Sequence, residues 1–172
     1  MSTPPDPRYR ITVVCLGNIC RSPIGESVLR ERIEQAGLAD LVVVDSAGTG
    51  DWHVGHDADP RARQALADHG YRLAHAARQI DASWFEGIDL VLAMDAANYA
   101  DLTTLAGTSA SAVDLRMMRS FDPELAHLSE PDANLDVPDP YHGADEDFVE
   151  VLRMLERAAD GLLAEMPARL NR

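Results

Sequence analysis

The sequence predicts an α/β fold: one three-layer domain with a central four-stranded parallel sheet and helices on both faces. Three observations carry that expectation. The 172 residues suit a single domain. Short β-branched and aliphatic runs alternate with longer stretches of helical periodicity, as expected of strands covered on both faces by crossover helices. The first apolar run passes through a Gly-Asn loop straight into a helical stretch, the form of a strand–loop–helix unit.

In chain order, residues 1–8 are polar and Pro-rich and read as a flexible tail ahead of a domain over 9–172. They lack the basic start and apolar run of a signal peptide or anchor. Strands are predicted at 11–14, 41–44, 90–94 and 113–117. Helices are predicted over 23–36, 60–69, 96–105 and 147–163. Ile24, Val28 and Ile33 form the apolar stripe of the first helix, and Gly37 is its stop. Asp59-Pro60 puts a capping side chain before Pro at the first position of the second, which Gly70 ends. The last helix carries Phe148, Val151, Leu152, Leu155 and Leu162 at helical spacing. Residues 121–140 show weak periodicity and several Pro or acidic turns, a long loop of the kind that carries function.

Charge and cysteine content narrow the partners. Twenty-nine acidic residues face fifteen arginines and no lysine, a formal charge of −14 that argues against nucleic acid and acidic membrane surfaces. No apolar run is long enough to span a bilayer. Cys15 and Cys20 cannot build a disulfide framework, so a reduced cytoplasm is the expected compartment, with export lacking a signal peptide left open. A monomer is expected.

The chemistry concentrates where the first strand ends. Cys15-Leu16-Gly17-Asn18-Ile19-Cys20-Arg21-Ser22-Pro23 has the pattern C-x5-R-S-P and opens onto a helix. Gly17 and Asn18 tolerate positive φ, so the loop can curl and aim its amides inward. Such a nest at a helix N-terminus binds a tetrahedral oxyanion. Ser22 is expected to cap the helix, Pro23 to sit in its first turn, and Arg21 to fork onto two oxygens. These surroundings favour the thiolate of Cys15 and make it a nucleophile. The bland reading, Cys15 as a small buried hydrophobe, explains none of its neighbours.

This loop resembles the signature loop of the low molecular weight protein tyrosine phosphatases, in their bacterial form. Val44-Asp45-Ser46-Ala47-Gly48-Thr49, Trp52-His53-Val54-Gly55, His75-Ala76-Ala77-Arg78-Gln79, Met94-Asp95-Ala96-Ala97-Asn98 and Asp139-Pro140-Tyr141 resemble further blocks of that family in the same order. The resemblance implies a hydrolase of phosphotyrosine proteins and aryl phosphates, with no cofactor and no metal. It implies that Cys15 attacks phosphorus while Asp139, one of nineteen Asp, protonates the leaving tyrosyl oxygen and later activates water. Asp136 competes for that role but lacks the Pro-Tyr that follows Asp139. The resemblance further implies that Leu16 to Cys20 and Ser22 cradle phosphate, with Ser22 donating to Cys15. Asn18 would hold the loop with Ser46 and His75, and Trp52 and Tyr141 would wall the cleft. Cys20 is implied as a redox partner of Cys15, against an even alternative in which it fills a small apolar space.

Other residues carry plainer expectations. His53 and His56 read as solvated loop residues rather than metal ligands. His142 stands where the family often has a second aromatic, and Gly25 where it usually has Ala. Two rivals remain: an arsenate reductase of this fold, which needs relay cysteines that are absent after Cys20, and a catalytically silent phosphotyrosine-binding module.

Overall fold

The computed structural model describes residues 4–108 and 113–171. Part of the expected tail, residues 1–3, lies outside the described residues. Four parallel strands, β1 (Tyr9–Cys15), β2 (Val42–Gly48), β3 (Leu90–Ala93) and β4 (Asp114–Met117), form one sheet in the order β2-β1-β3-β4. The helices are α1 (Arg21–Gln35), α2 (Pro60–Asp68), α3 (Ala96–Ala106) and α4 (Asp145–Leu170).

Side-chain alternation along the strands builds two cores. Ile11 and Val13 of β1, with Leu90 and Leu92 of β3, pack against α1, α2 and α4 through Ile24, Val28, Leu66, Phe148 and Leu152. Val14, Val91 and Ala93 point the other way, onto Leu102 of α3 and Phe85. The sheet is thus covered on both faces, as predicted. β1 has β2 on one side and β3 on the other, so the chain reverses its winding direction at β1. In open α/β sheets, ligands bind beside the carboxyl ends of the strands at such a reversal. Here that end is Cys15, paired with Gly48 of β2.

Several boundaries depart from the sequence expectation. β2 runs past Val44 to Gly48, because its polar residues are partnered rather than solvated. Asp45 accepts from Thr12 and Arg10, and Ser46 donates to the buried Glu26 at 2.7 Å. α4 continues past residue 163 to Leu170, through Pro167, because Met166 is still packed in the core. Ala82–Gly87 forms a 3-10 segment that periodicity missed, seating Phe85. Residues 121–140 contain two short 3-10 turns, Pro123–Leu125 and Ala133–Leu135.

Ser22 is not the cap of α1. The helix starts one residue earlier, at Arg21, with Cys20 in the capping position and no side chain bonded there. Asp59 does cap α2, accepting from Arg61 N at 2.8 Å, with Pro60 following it. Gly37 and Gly70 end α1 and α2 in left-handed conformations, with φ of 72° and 83°. Gly25 stands in a tight place: a Cβ there would lie 2.9 Å from Met94 Cε and 3.1 Å from Val13 Cγ1. The space its missing side chain leaves is filled by the sheet.

Candidate active site

The loop from Cys15 to Arg21 curls under the N-terminus of α1, whose first amides have no partner within the helix. The turn is made at Asn18, the one non-Gly residue among those described with positive φ (58°). Its side chain secures the turn on three sides. Nδ2 donates to Ser22 Oγ at 2.8 Å and to Ser46 Oγ at 3.0 Å, and Oδ1 accepts from Arg78 N at 2.9 Å. His75 Nε2 lies 2.6 Å from the Asn18 carbonyl. The structure therefore brings Asn18, Ser22, Ser46 and His75 together.

Cys15 Sγ sits 2.9 Å from Ser22 Oγ and accepts from Asn18 N at 3.3 Å. Ser22 thus meets the sulfur rather than the helix end. Both cysteines are free and buried. Burial pushes the Cys20 thiol up to about 12. Gly48 faces the loop so closely that a Cβ would come within 2.7 Å of Leu16 O.

Arg21 is the buried cation of the site, its side chain 3% exposed. Its Nη1 donates to Asp95 Oδ2 at 2.6 Å and to Val137 O at 3.0 Å, and Nη2 stands 3.8 Å from Asp139 Oδ2. Burial works against its charge, but Cys15 and Asp95 outweigh that cost and hold its pKa above the ordinary value. Asp95 belongs to one of the family-like sequence blocks, where the sequence alone assigns it no role. It follows β3, caps α3 by accepting from Asn98 N, and orients Arg21, a job its 74-residue separation hides from sequence reading. Asp136, the competing acid, is engaged elsewhere: its Oδ1 accepts from Ala96 N at the start of α3.

The cleft above these groups has a volume of about 250 Å³. Cys15 and Arg21 lie in its lining, and Trp52, His53, Asp139 and Tyr141 rim it. Trp52 is 67% exposed and Tyr141 41%, so both offer aromatic surface to whatever enters. His53 corrects an expectation, for it is half-buried against the loop; a Cβ on Gly17 would stand 3.0 Å from its ring. Asp139 is half-exposed, its Oδ1 accepting from Tyr141 N at 3.1 Å. Glu26, absent from the sequence reading, anchors the far end of the Cys15–Ser22–Asn18–Ser46 chain of hydrogen bonds.

Among the described residues, no group of three or more His, Cys, Asp and Glu could hold a metal ion, and no helix is long and apolar enough to cross a membrane. The arrangement suits oxyanion binding beside a thiol, with a carboxyl group at the rim.

Comparison with known proteins bears on that chemistry. Residues 10–172 match the family described as low molecular weight phosphotyrosine protein phosphatase. The low molecular weight protein-tyrosine-phosphatase of Streptomyces coelicolor is 54% identical over 156 residues, spanning 91% of this chain and 92% of that one. Low molecular weight protein-tyrosine phosphatase A of Mycobacterium tuberculosis is 44% identical over 167 residues, spanning 97% and 96%. The crystal structure of a protein tyrosine phosphatase from Entamoeba histolytica has a TM-score of 0.83 at 32% identity, covering 93% of this chain and 97% of that one.

Proposed function

This chain belongs to the low molecular weight phosphotyrosine protein phosphatase family, and from that membership we propose how its residues divide the hydrolysis of phosphotyrosine. It is a phosphoric monoester hydrolase, and Cys15 is its nucleophile. One observation supports the division of labour best. Cys15 Sγ, the Arg21 guanidinium and the Asp139 carboxyl line one cleft, with the sulfur bonded to Ser22 and Asp139 at the rim.

The Cys15 thiolate attacks phosphorus in line, forming an S–P bond as the P–O bond to tyrosine breaks. Asp139 gives its proton to the departing oxygen, whose conjugate acid otherwise titrates near pH ~10. Asp139, now a carboxylate, takes a proton from water as that water attacks phosphorus, which releases phosphate and restores the thiolate. Negative charge spread over the three equatorial oxygens meets the loop amides and the Arg21 fork. For this, Arg21 keeps Nη1 on Asp95 while its other edge turns to phosphate. Ser22 stabilises the thiolate, and Asn18, Ser46 and His75 hold the loop in shape. Trp52 and Tyr141 stack on the aryl ring, which favours phosphotyrosine over the shorter phosphoserine.

Cys20 is assigned as the redox partner of Cys15, and the protein as a bacterial, cytoplasmic monomer acting on phosphoprotein substrates. The direct test is hydrolysis of an aryl phosphate by wild type and Cys15→Ser, with and without EDTA. The variant should lose all turnover yet still bind phosphate, and EDTA should change nothing. Turnover in Cys15→Ser, or loss of wild-type activity to the chelator, overturns the mechanism.

A further inference from the structure

Asp139 is carried by the segment Pro138-Asp139-Pro140-Tyr141-His142-Gly143, whose two prolines offer no amide to a neighbour. Its upstream end is fixed at Val137, which donates to Met94 O and accepts from Arg21. Downstream, Asp147 of α4 accepts from Ala144 N. Among the described residues, the side chain that reaches the backbone between these anchors from another element is Arg61 of α2. Its Nη2 donates to Tyr141 O at 2.7 Å and its Nη1 to Gly143 O at 3.0 Å.

Arg61 is itself held rigid. Its Nε and Nη2 donate to the two carboxylate oxygens of Asp59, at 3.1 and 3.0 Å. The guanidinium also lies over the ring of Phe148, 4.5 Å from its centroid, and Phe148 is fully buried. Asp59 in turn donates its backbone N–H to Ile19 O, at 2.8 Å, inside the Cys15 loop. One short unit, Asp59-Pro60-Arg61, thus touches both the loop that holds the nucleophile and the loop that holds the acid. A surface ion pair alone contributes little. This one spends its remaining donors on two carbonyls that bracket His142, two and four residues beyond Asp139.

We infer that Arg61, braced by Asp59, is a positioning residue that sets the distance from the Asp139 carboxyl to the leaving oxygen. The inference rests on Asp139 being the general acid. Lysine cannot replace Arg61 here, because one ammonium cannot span Asp59 and both carbonyls as a planar fork does.

The test compares aryl phosphates of increasingly basic leaving group in wild type, Arg61→Ala, Arg61→Lys, Asp139→Asn and the Arg61→Ala/Asp139→Asn double variant. Each protein's melting temperature is recorded. A misplacement near 1 Å costs on the order of 100-fold, so Arg61→Ala should lose roughly 10- to 100-fold in kcat/KM, which reports P–O cleavage alone, with basic leaving groups and little with activated ones. Arg61→Lys, which keeps the charge and the helix, should show the same pattern. The double variant should be no slower than Asp139→Asn. Equal losses across leaving groups in both Arg61 variants, or a double variant slower by the full Arg61 factor, overturn the inference. A leaving-group-independent loss in Asp139→Asn overturns the acid assignment and this inference with it. A leaving-group-dependent loss there beside indifferent Arg61 variants overturns the inference alone.

Discussion

The two loops that meet in the cleft are built on opposite plans. The nucleophile loop is buried and fastened from within: Asn18 bonds three neighbours, Ser22 and Ser46 are under 2% exposed, and Glu26 ends the chain. The acid loop is exposed and held from outside, by Arg21 at its start and Arg61 along its middle. The difference follows from the chemistry. Phosphate charge is stabilised best by dipoles already in place, which need not reorganise when the reaction occurs. A proton donor must admit the substrate and then meet an oxygen whose position depends on the bound ring. Bonds within the loop serve the first, and a brace from a neighbouring helix serves the second.

The largest effect that would test this contrast comes from Asn18→Ala. The substitution leaves Arg78 N without its partner, takes one donor each from Ser22 and Ser46, and puts a Cβ-bearing residue without its local hydrogen bonds at φ 58°. With about 1–3 kcal/mol for the one amide left unsatisfied and about 0.5–1.5 kcal/mol for each of the two other hydrogen bonds lost, a loss of about 3 kcal/mol in unfolding free energy is expected. Activity should fall equally for all leaving groups, with phosphate inhibition weakened, since anion binding rather than proton transfer is damaged. Denaturant unfolding and phosphate inhibition measure both. A leaving-group-selective loss with unchanged stability would erase the distinction drawn between the loops.

A smaller effect is expected at the rim. Trp52 is largely exposed, so Trp52→Ala should leave stability within about 0.5 kcal/mol of wild type. What it removes is stacking, worth about 0.5–1.5 kcal/mol. The preference for aryl over alkyl phosphates should therefore shrink by roughly three- to tenfold, read as the ratio of kcat/KM values. An unchanged ratio would hand the selectivity to Tyr141 or to cleft depth.

The same contrast explains what the sequence made legible. The nucleophile loop occupies nine consecutive residues, and each residue type there has a local reason to be present. Strand, loop and helix start could be read together. Strand β2 was cut short because Asp45 and Ser46 look like solvent-facing residues until their partners Thr12, Arg10 and Glu26 are known. Arg61 and Asp95 had no local signal at all. Their partners lie 80 and 74 positions away, so only folding reveals that one clamps the acid loop and the other aims Arg21. Asp139 was singled out by family resemblance, since a half-exposed loop Asp has no distinguishing pattern of its own.

The smallest expected effect concerns Cys20, on the wall of the rigid loop. Peroxide would convert the Cys15 thiolate to a sulfenic acid, and attack by Cys20 sulfur would then form a disulfide with release of water. The attacking species is a thiolate. Burial pushes the Cys20 thiol up to about 12, so at neutral pH it is almost wholly protonated and capture is slow. Each unit of pH increases its thiolate roughly tenfold until the pKa is reached. Protection should therefore be weak at pH 7 and clear at pH 9, whereas a resolving cysteine of low pKa would protect already at pH 7. The measurement is activity regained with dithiothreitol after a limited peroxide pulse, in wild type and Cys20→Ala, with the capture interval held at each pH. Wild type should regain more than the variant, and the gap should widen toward pH 9. Equal recovery at both pH values would leave Cys20 as packing under the loop, and its burial as the whole of its role.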